Sequence, residues 1–229
     1  MNMKWIFSTL LLSILMIDLS DAQDWANLNR YKSENIKLGL PSPDENRIVF
    51  MGNSITEGWG TIYPSFFSGK SYINRGISGQ TTPQMLIRFR PDVINLKPKV
   101  VVILAGTNDI AGNTGPSTLE MIMDNIASMA ELAMANHIKV ILCSVLPVFD
   151  YPWKPGLNPA EKIVELNKMI KSYADKNGII YLDYYTSMVD ERKGLKKQYS
   201  EDGVHPNLDG YKIMSPLAEK AIKKALTQK

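Results

Sequence analysis

Ser54 stands in the stretch RIVFMGNSIT (Arg47–Thr56), where an apolar run stops at Gly52 and hands the chain to a small polar turn. Far along the sequence, SEDGVHPN places Asp202 three residues before His205, in a turn with Gly203 and Pro206. A serine hydroxyl is a poor nucleophile until a neutral imidazole accepts its proton. The imidazole works best when a carboxylate fixes its tautomer and stabilises its charged form. The three residues therefore point to nucleophilic acyl transfer, with one rigid loop delivering both acid and base. Singly, each has an ordinary explanation: a small polar residue after a strand caps the next helix, and DGVHP reads as a surface turn. Their combination is more selective. The other histidine, His137 in MANHIKV, lies between a helix end and a strand without acidic or glycine-rich neighbours. Helix capping or solvent exposure accounts for it.

Ester hydrolysis also needs donors aimed at the oxygen that turns negative in the tetrahedral intermediate, each worth roughly 3 kcal/mol. Gly79 in ISGQTT can bring a backbone amide close to substrate because it lacks a Cβ. Asn108 in AGTND can bring a side-chain amide, and the backbone of Ser54 a third donor. A tight turn and a structural cap are the competing readings of Gly79 and Asn108. Gly76 in NRGISG is a second candidate for the glycine.

Strands and helices must carry these turns to one place. RIVFM, SYINRG, KVVVILAG, KVILCSV and IIYLD read as strands, and the unbroken β-branched run of the third is that of a central parallel strand covered on both faces. Helices are expected around Trp59–Phe67, after ISGQT to near Pro91, from Ser117 with Glu120 at capping-box spacing, from Pro159 to Asn177, and from Asn207 onward with Pro216 inside. Leu119, Ile122, Ile126 and Met129 fall on one face of the third of these. Residues 23–45 read as a polar, irregular lead-in wrapping the domain, and 46–229 as one domain. Alternating strands and helices give a three-layer α/β/α sandwich with a mostly parallel sheet. In such sheets the site lies beyond the carboxyl ends of the strands, where GNSIT, ISGQT and GTND fall.

The chain of 229 residues is 45% hydrophobic and 21% charged, an ordinary globular composition. Its start has Lys4, an uncharged apolar stretch from Trp5 to Ile17, and small residues Ser20 and Ala22. This reads as a secretory signal over residues 1–22, cleaved near Ala22, and hence as a secreted or periplasmic protein with no stable membrane span. The formal charge of +3 rises by one, to +4, without Lys4, Asp18 and Asp21. Basic residues are scattered, densest at Arg192–Lys197 and in the final helix, so a solvated face is expected rather than a nucleic-acid surface. Cys143, the single cysteine, reads as a small buried hydrophobe. Nothing requires a metal or an organic cofactor.

The ordered set GNSIT, NRGISGQT, GTND and DGVHPN resembles the SGNH hydrolases, also called the GDSL lipase and esterase family, across nearly the whole chain after Ile48. The branches it is similar to are the platelet-activating-factor acetylhydrolase-like and carbohydrate-esterase-like ones. The resemblance implies a flavodoxin-like α/β/α fold, Ser54 as nucleophile, Gly79 and Asn108 as oxyanion donors with the Ser54 amide, His205 as base and Asp202 as its orienting acid. Asn53 departs from the family, which usually has aspartate there. The turn also differs from the GxSxG elbow of α/β-hydrolases, which needs glycine where Thr56 stands.

The substrate expected is a small-molecule or carbohydrate ester with a short acyl group, acetyl foremost. Lysophospholipid or thioester hydrolysis and a non-catalytic carbohydrate-binding relative are the alternatives. A phosphate-holding flavodoxin-like module would need a G-x-G-x-x-G or P-loop, and the sequence has neither. Trp59, Phe149, Tyr151 and Trp153 are candidates for stacking on a sugar, with packing over the core as the competing reading.

Overall fold

The computed structural model describes residues 24–228; the expected secretory signal lies outside them. Five strands form one wholly parallel sheet: β1 (Ile48–Gly52), β2 (Tyr72–Gly76), β3 (Val100–Leu104), β4 (Lys139–Cys143) and β5 (Ile180–Leu182), in the spatial order β2-β1-β3-β4-β5. Register aligns Gly52 at the end of β1 with Gly76 of β2 and Leu104 of β3, so three strands end at one level.

The helices are α1 (Lys32–Leu38), α2 (Ser54–Ile62), α3 (Thr82–Asp92), α4 (Thr107–Ile110), α5 (Leu119–Ala135), α6 (Pro159–Lys176), α7 (Tyr185–Met188) and α8 (Leu208–Thr227). Successive strand side chains point to opposite faces, and both faces are apolar here, as a buried parallel sheet requires. Val49, Met51, Val101, Ile103, Val140 and Leu142 pack with Met85 and Phe89 of α3, Ile126 of α5 and Leu166 of α6. On the other face Ile48, Phe50, Val102, Ile141 and Cys143 meet Ile55 and Trp59 of α2 and Met214, Ala218 and Ile222 of α8. The result is the three-layer α/β/α sandwich anticipated from the alternation of elements.

The chain leaves β1 to build β2 on one side and reaches β3 on the other. Between β1 and β3 the winding direction therefore reverses, which opens a crevice at the carboxyl ends of these strands. The turns carrying Ser54 and Asn108 flank that crevice.

Three local expectations are corrected. The helix anticipated around Trp59–Phe67 begins at Ser54 and ends at Ile62, with a separate 3-10 turn at Pro64–Phe66. Asn53 moves the start forward, because its side chain accepts the Ile55 amide. The cap of α5 is Thr118, which accepts the Met121 amide at 3.2 Å, not Ser117. The lead-in is not irregular throughout, since α1 lies within it. That helix buries none of its own side chains, so no apolar stripe marks it in the sequence.

Candidate active site

Asn53 Oδ1 accepts the Ile55 amide at 3.2 Å and fixes the entry to α2. Ser54 is thereby the first helical residue, and its amide has no acceptor within the helix. The amide oxygen of Asn53 supplies the cap that an aspartate would supply. Tyr211 of α8 donates to the Ile55 carbonyl at 2.8 Å, tying the first turn of α2 to the last helix.

His205 arrives on a short, heavily pinned loop. Ser200 pairs with Pro206 in an isolated antiparallel bridge, and the Asn207 side chain accepts the Gly210 amide at 3.0 Å to cap α8. Between these anchors, Asp202 Oδ1 accepts the amides of Val204 at 2.9 Å and His205 at 2.8 Å. The Ser200 hydroxyl donates to the same oxygen at 3.1 Å. Asp202 Oδ2 then lies 2.6 Å from His205 Nδ1, and His205 Nε2 lies 2.9 Å from Ser54 Oγ. Partial burial pushes the Asp202 carboxyl up. The hydrogen bonds from the His205 ring and from the two amides outweigh it, so the group titrates below its usual range. A carboxylate so held keeps the imidazole proton on Nδ1 and leaves Nε2 free to accept from the serine.

Gly79 has φ +76°, a conformation that costs a residue with a Cβ about 1–2 kcal/mol. A Cβ there would meet nothing within 4 Å. Within the protein itself, glycine is required here by backbone shape rather than by crowding. The competing Gly76 sits at the end of β2, where a Cβ would lie 2.1 Å from the Glu57 amide nitrogen, and its own amide donates to Asn74 Oδ1 at 2.9 Å. That commitment leaves Gly79 as the glycine with an amide to offer. Asn108 is buried on α4 after β3, and one of its two N–H groups donates to the Gln80 carbonyl at 2.9 Å. The other is not needed for that bond.

Two supporting residues, Arg88 and Asp109, go beyond the candidates read from the sequence. Arg88 of α3 is wholly buried. Its Nη2 donates to the carbonyls of Gly52 and Arg75, each at 2.9 Å, its Nη1 to Asp92 at 3.0 Å, and its Nε to Gln80 Oε1. One guanidinium thus ties the ends of β1 and β2 to the Gly79–Gln80 turn. Its i, i+4 spacing to Asp92 was the available signal, and it reads equally as a surface pair. Asp109, beside Asn108, accepts the Thr82 amide at 2.9 Å and the Thr82 hydroxyl at 2.6 Å, and burial holds its carboxyl above the usual range. Among the described residues no group of three or more histidine, cysteine, aspartate or glutamate side chains is placed to hold a metal ion.

The four aromatic candidates separate. Trp59 is buried, stacked on Phe66 at 4.6 Å and on Tyr211 at 5.4 Å between ring centroids. It belongs to the core, because its side chain points inward from α2 rather than into the cleft. Tyr151 is also buried; its hydroxyl donates to the Thr107 carbonyl at 2.8 Å and so braces the turn that bears Asn108. Trp153 is half-exposed, with its ring 6.0 Å from that of His205. Phe149 is half-exposed under the Arg192 guanidinium, 5.0 Å from its centroid.

A parallel sheet wound in this order, with helices on both faces and the Ser54, His205 and Asp202 side chains meeting beyond its carboxyl edge, defines a three-layer α/β/α class of fold. Residues 50–213 match the GDSL-like lipase/acylhydrolase family, and the chain belongs to that family of ester hydrolases. The crystal structure of a GDSL-like lipase from Bacteroides thetaiotaomicron is 54% identical, superposes with a TM-score of 0.86, and covers 88% of this chain and 100% of its own. An acetylxylan esterase from Xylanibacter ruminicola is 28% identical over 80% of this chain, which spans 45% of the length of that relative. The Homo sapiens platelet-activating factor acetylhydrolase IB subunit alpha2 is 28% identical, with 86% of each chain covered. Among the described residues no helix is long and apolar enough to cross a membrane.

Proposed function

We propose that this chain is an exported esterase that hydrolyses short-chain, above all acetyl, esters through Ser54, His205 and Asp202. The observation that carries the reading is the continuous hydrogen-bonded line from Asp202 Oδ2 through His205 to Ser54 Oγ, with steps of 2.6 and 2.9 Å. Ser54 Oγ forms a bond to the ester carbonyl carbon while His205 Nε2 takes the hydroxyl proton, and the carbonyl electron pair moves onto oxygen. The amides of Ser54 and Gly79 and the free N–H of Asn108 stabilise that oxyanion. The intermediate collapses by breaking the bond to the alcohol oxygen, which receives the proton from His205. Water then attacks the acyl-serine, again through His205, releasing the acid and restoring the hydroxyl.

The cavity that holds Ser54 and His205 is walled in part by Arg30, Glu57, Thr61 and Ser78, a polar lining poorly suited to a long alkyl chain, which supports a short acyl group. The naming of one relative as an acetylxylan esterase and of another as an acetylhydrolase supports the same preference. Export rests on the basic, apolar and small-residue order of residues 1–22.

Hydrolysis of p-nitrophenyl esters of increasing chain length tests the whole reading. Turnover greatest on acetate, lost in Ser54→Ala without loss of the folded circular dichroism spectrum, and labelling of Ser54 by a fluorophosphonate are expected. Preference for long chains would replace the acetyl reading by a lysophospholipase or thioesterase one. Undiminished hydrolysis by Ser54→Ala would remove the serine mechanism altogether.

A further inference from the structure

Resting on the ester-hydrolase reading, we infer that Arg30 and Glu57 form the subsite for the leaving alcohol and that they select a neutral, polyhydroxylated one such as a sugar. His205 must protonate the departing oxygen, so the alcohol lies in the part of the cleft that this ring faces. The cavity holding Ser54 and His205 also takes in Arg30, Glu57, Ser78 and Thr61. Arg30 comes from the lead-in, ahead of residues 50–213 that match the family.

The two charged side chains hold each other in place. Arg30 Nη2 lies 3.4 Å from Glu57 Oε1, and its guanidinium rests over the Tyr31 ring, 4.8 Å from the centroid. Glu57 Oε2 accepts the Ser78 amide at 2.9 Å and is also bonded by the Ser78 hydroxyl. Both partners stay open to solvent, with 43% of the Arg30 and 30% of the Glu57 side chain exposed. A guanidinium has five N–H donors and a carboxylate about four acceptor sites, so each retains capacity beyond these contacts.

That leaves adjacent donors and acceptors on one wall of the cleft. Each hydroxyl of a vicinal diol both donates and accepts, and so satisfies the pair from one side. An alkyl chain laid there would strip water from both charges and return nothing. Arg30 lies between Glu57 at 3.4 Å and Glu34 at 3.9 Å, so the group offers no net positive charge to attract a phosphorylated headgroup. Half-exposed Trp153, beside the same histidine, supplies an apolar face of the kind that sugar rings cover.

The test compares two acetate esters, mono-O-acetyl methyl xyloside and p-nitrophenyl acetate, in the wild type and in Arg30→Met. The acyl group is the same, so differences report the alcohol side alone. The ratio of kcat/KM for the sugar ester to that for the nitrophenyl ester should fall at least fivefold in Arg30→Met, chiefly through KM, with Arg30→Lys in between. An equal loss on both esters, in protein shown to be folded, would overturn the subsite while leaving the Ser54 chemistry standing. Absence of Ser54-dependent hydrolysis of p-nitrophenyl acetate in the wild type would instead overturn the ester-hydrolase reading, and the subsite with it.

Discussion

Asp202 is asked to do two things with one carboxylate: Oδ1 collects the loop amides, and Oδ2 orients the His205 ring. Asn at this position can still accept with one oxygen but offers the ring an N–H, which favours the wrong tautomer. Asp202→Asn should therefore lower kcat on p-nitrophenyl acetate by about 10³–10⁴-fold while leaving most of the fold intact. The linkage has a definite sign. Because the folded state lowers this carboxyl below 3.8, its stabilisation is complete above that value and fades as pH falls through the folded value. The melting temperatures of wild type and Asp202→Asn should differ at neutral pH and converge on acidification below about pH 4. A gap that persists unchanged into acid would show that the carboxylate charge contributes nothing. At this scale the sequence was informative for a physical reason: His205 is one of only two histidines, and Ser54 and Asp202 sit in tight local patterns. Trp59 and Tyr151 misled because an aromatic side chain reads alike whether it faces a cleft or a core.

Between residues and fold, the decisive element is α3, whose Arg88 reaches across to the ends of β1 and β2 and to Gln80. Asn108 in turn leans on the Gln80 carbonyl. Stability and site geometry therefore pass through one buried cation, and a pair of variants separates them. Arg88→Met leaves the buried Asp92 carboxylate without its counter-ion, with only the Asn35 amide donating to it, and should cost about 3–5 kcal/mol in urea unfolding. Replacing both, as Arg88→Met with Asp92→Leu, should recover part of that stability, because the buried charge is gone while the Gly52 and Arg75 carbonyls and Gln80 stay without the guanidinium. The double variant should still show reduced kcat with little change in KM, because the Gly79–Gln80 turn has lost its anchor. Full recovery of kcat along with stability would make Arg88 a packing residue only. Elements were legible where burial wrote a pattern: β1, β3 and β4 are apolar runs, and Ile122, Ile126 and Met129 mark the inner face of α5. Their ends were not, because whether Ser117 or Thr118 caps α5 depends on which oxygen reaches the Met121 amide. Arg88 was silent because a buried ion pair and a surface one share the same spacing.

At the level of the whole molecule, the lead-in is latched onto the scaffold that carries the site. The Ala26 carbonyl accepts Gln80 Nε2 at 2.7 Å, and the buried Tyr31 hydroxyl donates to the Gly76 carbonyl. Asn35 Oδ1 accepts from Arg75 at 2.7 and 3.0 Å while its amide donates to Asp92 at 2.8 Å. The lead-in read as a segment that wraps the domain, but where it is latched was not legible, since the contacts are polar and α1 has no apolar stripe. A variant lacking everything up to Leu40 would leave the Arg75 and Asp92 side chains and the Gly76 carbonyl without these partners, and would take the Tyr31 ring away from the Arg75 guanidinium. Each unsatisfied group costs roughly 1–3 kcal/mol where water does not reach it. Taking a net loss of about 3 kcal/mol and a shift of about 2–4 °C per kcal/mol for a chain this long, the melting temperature should drop by roughly 10 °C. Turnover of p-nitrophenyl acetate should fall as well at temperatures where the shortened chain is folded, because Gln80, which receives Asn108, loses its Ala26 anchor. Calorimetry and initial rates on the same preparations decide it: unchanged melting and unchanged kcat would mean that the segment is an appendage rather than part of the machine.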